Sequence, residues 1–212
     1  MAILTQARVS LESGDHLTRD EFHRRYSEHP EIKKAELVEG VVYVGSPVRF
    51  DRHGQPHGLA VAWLVAYAAR VPGLLVGDNA TVFLDDRNEF QPDAFLWRDE
   101  PGGPRLGADG YIDGAPRLVV EVAASSASYD LHEKKEAYRR NGVREYLVWR
   151  VLDDAVNWFE LRDGAYTMRE PDSNGIIESS QFAGLRLHLP SLLAGDPAGV
   201  LAALNPDRPS GS

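Results

Sequence analysis

Three carboxylates stand where folding alone would not favour them. Asp93 sits in QPDAFLW, directly before an apolar run; Glu121 lies inside RLVVEVAA, among β-branched neighbours; Glu36 opens ELVEG. A carboxylate within a buried strand is costly unless it is paired or metal-bound. Two of them ending neighbouring strands can offer oxygen ligands to a hard divalent cation. Such a cation polarises a phosphoryl oxygen, acidifies bound water and offsets charge on a leaving group. A lysine nearby would orient the attacking water or neutralise the transition state. Lys134 fits that role, one helical turn past Asp130 on the segment that leaves the Glu121 strand. Its competitor Lys135 lies about 100° further round the helix, on the Leu131 face. Spacing from Asp130 and Tyr138 favours Lys134. The structural alternative for Glu121 is a salt bridge to Arg117 or Arg144. If Glu36, Asp93 and Glu121 share one cleft, like-charge crowding raises their pKa values. Asp93→Asn would then leave the metal-free protein equally or more stable.

The elements that must position these groups read as follows. Thr18 and Glu21 form a capping-box pattern for a helix over residues 19–28. ELVEGVVYVGS reads as two strand pieces joined around Gly40, and Pro56 starts a buried helix running to about Arg70. Strands are expected over 74–77, 81–84 and 94–97. The Gly/Pro-rich residues 98–116 form a long loop without structure of its own, and RLVVEV is the most strand-like segment. A helix follows Ser128 and stops at Asn141-Gly142. EYLVWRVL is a buried strand. Residues 156–161, 165–169 and 185–189 add antiparallel strands, with turns at Asp163-Gly164 and Asn174-Gly175. A short helix begins at Asp196-Pro197. The pattern predicts an α/β fold: a mixed central sheet flanked by helices, with extra antiparallel C-terminal strands. One domain is expected over residues 1–204, with a disordered tail over 205–212.

Composition narrows the function classes. The 212 residues are 43% hydrophobic and 26% charged, ordinary values for a globular chain. The absence of cysteine excludes disulfides, thiolate zinc sites and cysteine nucleophiles. The apolar stretch 59–69 is too short for a bilayer, and MAILTQARVSLESGD lacks a secretory pattern, so a cytoplasmic protein without membrane partners is expected. The net charge of −9 opposes indiscriminate binding of polyanions but permits a local basic groove. His53 and His57 are four apart, yet Gly54 and Pro56 intervene, so no helical zinc pair is expected. His57 is left to cap its helix or face the metal cleft. The serines of AASSAS lack a nucleophile-elbow glycine pattern.

Taken in order, ELVEG, His57 at a helix start, QPDAFLW and PRLVVEVAASSASYDLHEKKEAYRRNGVREYLVW resemble the Uma-type restriction endonuclease family. That family belongs to the PD-(D/E)XK nuclease superfamily, and the resemblance spans roughly Thr18 to Val151. It implies that Asp93, Glu121 and the backbone carbonyl of Val122 hold magnesium or manganese. Lys134 takes the catalytic lysine role from the helix, because the usual position two residues after the glutamate is Ala123 here. Glu36 corresponds to an assisting acid on the first strand; Asp130 and Tyr138 support, as does His57. The implied substrate is DNA, with a homodimer to cut both strands. The chain departs from the family's serine-proline step after the strand, where it reads Ala-Ala-Ser-Ser. Two other readings are a non-catalytic regulatory or protein-binding module on the same fold, and a hydrolase of another phosphoester.

Overall fold

The computed structural model describes residues 9–124 and 126–205. From residue 206 onward the expected tail lies outside the described residues. Helix α1 (Arg19–Ser27) starts as the capping signal requires: the Thr18 hydroxyl accepts the Glu21 N–H at 3.4 Å. Strands β1 (Ala35–Val38) and β2 (Val41–Val44) form a tight hairpin. Its two-residue turn needs positive φ at both positions, and Glu39 (53°) and Gly40 (78°) supply it. Helix α2 (Gln55–Ala68) carries Pro56 in its first turn, where no N–H partner is needed. The chain therefore enters it through a widened π turn, Phe50–Gly54. The expectation that Gly54 and Pro56 exclude helical structure around His53 is thus corrected.

The strands divide between two six-stranded sheets. One has the order β2-β1-β5-β4-β8-β7, with β4 (Val82–Asp85), β5 (Asn88–Phe90), β7 (Arg105–Leu106) and β8 (Ile112–Asp113). The second has the order β12-β11-β10-β9-β6-β3. Its members are β3 (Leu75–Asp78), β6 (Ala94–Trp97), β9 (Leu118–Ala123), β10 (Glu145–Arg150), β11 (Ala155–Arg162) and β12 (Ala165–Met168). Only β9 and β10 run parallel in it. Residues 98–116 are not structureless, because β7 and β8 pair within them and β8 docks parallel on β4. The C-terminal β13 (Ile176–Glu178) and β14 (Arg186–His188) pair with each other, apart from both large sheets.

Period-two alternation in the second sheet decides where the chemistry can sit. Leu118, Val120 and Val122 of β9, with Ala94 and Leu96 of β6, pack toward Trp63 and Leu64 of α2. Val119 and Ala123, with Phe95 and Trp97, pack on the opposite face against Ala137 and Tyr138. Asp93 and Glu121 share the parity of this second group. The helix covering that face is α3 (Ala127–Tyr129), a second π turn over Asp130–Lys134, then α4 (Lys135–Arg140). Gly77 of β3 faces Phe95 across the sheet, and a Cβ there would stand 2.0 Å from the ring. Gly77→Ala is expected to cost about 1–3 kcal/mol by overpacking, read as a lower midpoint in urea unfolding. An unchanged midpoint would contradict this contact.

Candidate active site

The antiparallel register pairs Ala94 with Val120, so the next step sets Asp93 opposite Glu121 on the α4 face. Directly opposed residues have Cβ atoms about 4.5–5.5 Å apart. Backbone bonds tie the two together: Val122 N–H donates to Asp93 Oδ2 (2.8 Å) and Asp93 N–H to Glu121 Oε2 (3.4 Å). In such pairing the carbonyl of a residue points to the same side as its N–H. The Val122 carbonyl therefore faces the Asp93 side, and Val122 lines the same cleft.

Lys134 enters from the π turn, and its side chain is only 2% exposed. Its Nζ lies 2.6 Å from Glu121 Oε1, 3.1 Å from both Glu36 oxygens and 3.9 Å from Asp130 Oδ1. One face of Phe90 lies 5.4 Å below it. Tyr138, one turn on, donates its hydroxyl to Glu121 Oε1 at 2.9 Å, and Tyr146 donates to the Asp130 carbonyl at 2.9 Å. Glu36 also accepts the Gln91 N–H. The structure thus brings Glu36, Asp93, Glu121, Val122, Asp130, Lys134 and Tyr138 to one place. Lys135 points elsewhere, its Nζ 4.2 Å from the Phe159 ring centroid. Neither arginine alternative for Glu121 holds: its cation is Lys134, and Arg117 pairs with Glu100.

Two groups at the site are ones that sequence reasoning missed. Lys34 Nζ donates to Asp93 Oδ1 at 3.0 Å and to Asn79 Oδ1 at 3.2 Å. His53 Nε2 lies 3.2 Å from Asp93 Oδ2. His57, the histidine singled out from the sequence, instead contacts the Asp93 backbone carbonyl (2.9 Å) and Asp78 (3.0 Å). It holds the backbone that carries Asp93, while His53 meets the carboxylate. The available signal for His53 was its four-residue spacing from His57, which brings the rings within 5.5 Å. Nothing in the sequence separates Lys34 from the other surface-like lysines of that stretch.

The electrostatics differ from acid to acid. Burial raises Glu121, Lys134 pulls it back, and Asp93, Asp130 and Glu36 push it further, leaving its pKa at about 8. Asp130 is raised too, chiefly by burial. Burial opposes the charge of Lys134, but the carboxylates around it hold its pKa well above the ordinary lysine value. Asp93 reverses the expected crowding. Burial would raise it, but the His53 hydrogen bond, the Lys34 charge and the Val122 N–H outweigh that and hold it well below the usual range. The cleft above these groups encloses about 600 Å³. Its floor carries the carboxylates of Glu36, Asp93, Glu121 and Asp130 against the ammoniums of Lys34 and Lys134. Those carboxylates are the oxygen donors that a hard divalent cation takes, and its charge would draw Glu121 into the ionised form.

The chain belongs to the Uma2 family, described as "Putative restriction endonuclease", which matches residues 19–190. Among solved structures, the fold is similar to a putative nuclease belonging to DUF820 from Anabaena variabilis ATCC 29413, with a TM-score of 0.60 and 12% identity. That likeness covers 81% of this chain and 97% of the other. No curated protein matches the sequence significantly. Among the described residues, no helix is long and apolar enough to cross a membrane.

Proposed function

We propose that this chain is a PD-(D/E)XK-type nuclease that uses magnesium or manganese to hydrolyse phosphodiester bonds in DNA. The observation that carries the reading is the placement of Asp93 opposite Glu121, with the Lys134 ammonium on Glu121, at the floor of one cleft. Among the described residues no group of three His, Asp or Glu stands ready to hold an ion. Magnesium commonly takes only one or two carboxylates and keeps several waters. Asp93, Glu121 and the Val122 carbonyl fit that requirement, and manganese accepts the same oxygen donors. When bound, the ion supplies Lewis acidity and a more acidic water.

The chain's own groups do the remaining work. Lys134 Nζ stays protonated and donates to the attacking water or to a non-bridging phosphoryl oxygen, where charge develops. Glu36 holds that ammonium from the other side, and Tyr138 fixes the Glu121 carboxylate through its hydroxyl. Lys34 and His53 keep Asp93 ionised and oriented. Where both strands of a DNA are cut, two such centres are needed, which a homodimer would provide.

The same ion pairs favour a second reading, a non-catalytic module in which lysines have taken the cation's place. Incubation of labelled DNA with the protein in magnesium, manganese or chelator separates the two. Cleavage products are expected with either metal, none in chelator and none with Glu121→Gln. Absence of cleavage under every metal condition, or equal cleavage by Glu121→Gln, would reject the nuclease reading.

A further inference from the structure

The lip of the cleft has a composition that the floor chemistry does not require. Residues 45–52 are all exposed, and Val48, Arg49 and Arg52 line the cleft together with Leu152. Large apolar side chains stand in water there: Val48 is 69% exposed, Phe50 79% and Leu152 53%. Phe50 begins the π turn that carries His53, so it is rigidly connected to the Asp93 partner. It lies between the two cleft arginines in sequence, and a Cβ on Gly54 of the same turn would stand 3.7 Å from its ring. An exposed aromatic beside arginines matches what single-stranded nucleic acid binds: a π-face for a base and cations for the flanking phosphates.

Pairing decides which form of the nucleic acid can use the lip. A duplex keeps its bases stacked and paired inside, so it offers Phe50 no free π-face. A strand free of its partner does.

We propose that the substrate is single-stranded or locally unpaired DNA, with one phosphate at the floor and the neighbouring base stacked on Phe50 as the strand leaves over the lip. Arg49 and Arg52 contact the phosphates on either side. This inference rests on the nucleic-acid part of the reading above, but not on catalysis.

The test is binding in chelator, with a labelled single-stranded oligonucleotide and its blunt duplex, read by fluorescence anisotropy. The wild type is expected to bind the single strand at least tenfold more tightly than the duplex. Phe50→Ala weakens single-strand binding about tenfold, in line with the loss of one base–aromatic stack, while Phe50→Trp retains it. A 2-aminopurine base in the strand is quenched by the wild type and not by Phe50→Ala. Because Phe50 is so exposed, neither variant should alter the melting temperature. Equal single-strand affinity in Phe50→Ala, or tighter binding of the duplex, overturns the proposal and leaves the nuclease reading standing. If Phe50→Ala instead breaks a dimer in sedimentation and DNA binding is unchanged, the lip is a contact between copies and the proposal fails. A wild type that binds neither oligonucleotide removes both this proposal and the nucleic-acid reading.

Discussion

Lys134→Ala should lower the unfolding free energy at pH 7.5 by about 3–5 kcal/mol, the cost of removing one partner from a buried ion pair. Its ammonium is the closest cation to Glu121 and lies against both oxygens of Glu36. Without it, Glu36 and Glu121 lose their counter-charge, at a cost in desolvated charge or in forced protonation. The pH dependence has a definite sign. A lysine whose folded pKa is raised contributes stability fully below its unfolded value of 10.5, so the contribution is present at neutral pH. Glu121 behaves oppositely. Its folded pKa of about 8, against 4.5 unfolded, means that stability falls as pH rises through that window. Removing Lys134 pushes the acids up further, so the deficit should be large at pH 7.5 and smaller at pH about 5. Urea unfolding at both pH values measures this. Lys135→Ala should cost no more than about 1 kcal/mol, since it loses only a partly exposed contact with Phe159. Equal losses from both variants, or a deficit that grows on acidification, would contradict the arrangement.

Asp93→Asn should destabilise the metal-free protein by about 3 kcal/mol at pH 7, because it leaves Lys34 and His53 facing a neutral amide. The Asp93 carboxyl is depressed below its ordinary 3.8. Its contribution is therefore present above that value and is lost only as pH falls through the lower folded pKa. Neutral pH lies well inside the window where the full loss is seen. Thermal melts in chelator decide the matter. An unchanged or raised melting temperature would mean that repulsion among the acids, not pairing with Lys34 and His53, governs the cleft.

The motif residues were legible because strand parity and helical spacing are local properties. Glu121 in an apolar strand, Asp93 before one, and Lys134 between Asp130 and Tyr138 all reach the cleft by simple two- and four-residue periods. Burial of an acid does not by itself single out a ligand. Glu89, Glu145 and Glu160 are buried as well, partnered by His23 on one Glu89 oxygen, by Ser179 and Ser180, and by Arg162 and Arg169. Apart from Arg162, two residues from Glu160 on the same strand, those partners lie elsewhere in the chain, so a single sequence cannot tell a ligand from a solved structural problem. The same limit hid Lys34, whose partner Asp93 is 59 residues away. His53 was hidden by local chemistry: glycine and proline argued against a helix, and a π turn ahead of a proline-tolerant first turn accommodates both. Short pairings such as β5, β7 and β8 carry too few residues for a periodic signal, and the division into two sheets is a tertiary outcome.

Calorimetric titration of the metal-free protein with manganese separates a metal site from a cluster of ion pairs without needing the natural substrate. One ion is expected to bind per chain of wild type, with no measurable binding by Glu121→Gln at the same concentrations. The melting temperature is expected to rise with metal only in the wild type, as binding to the native state requires. Absence of binding by the wild type, or equal binding by Glu121→Gln, would contradict the metal site and make the Asp93–Glu121–Lys134 cluster part of the architecture alone.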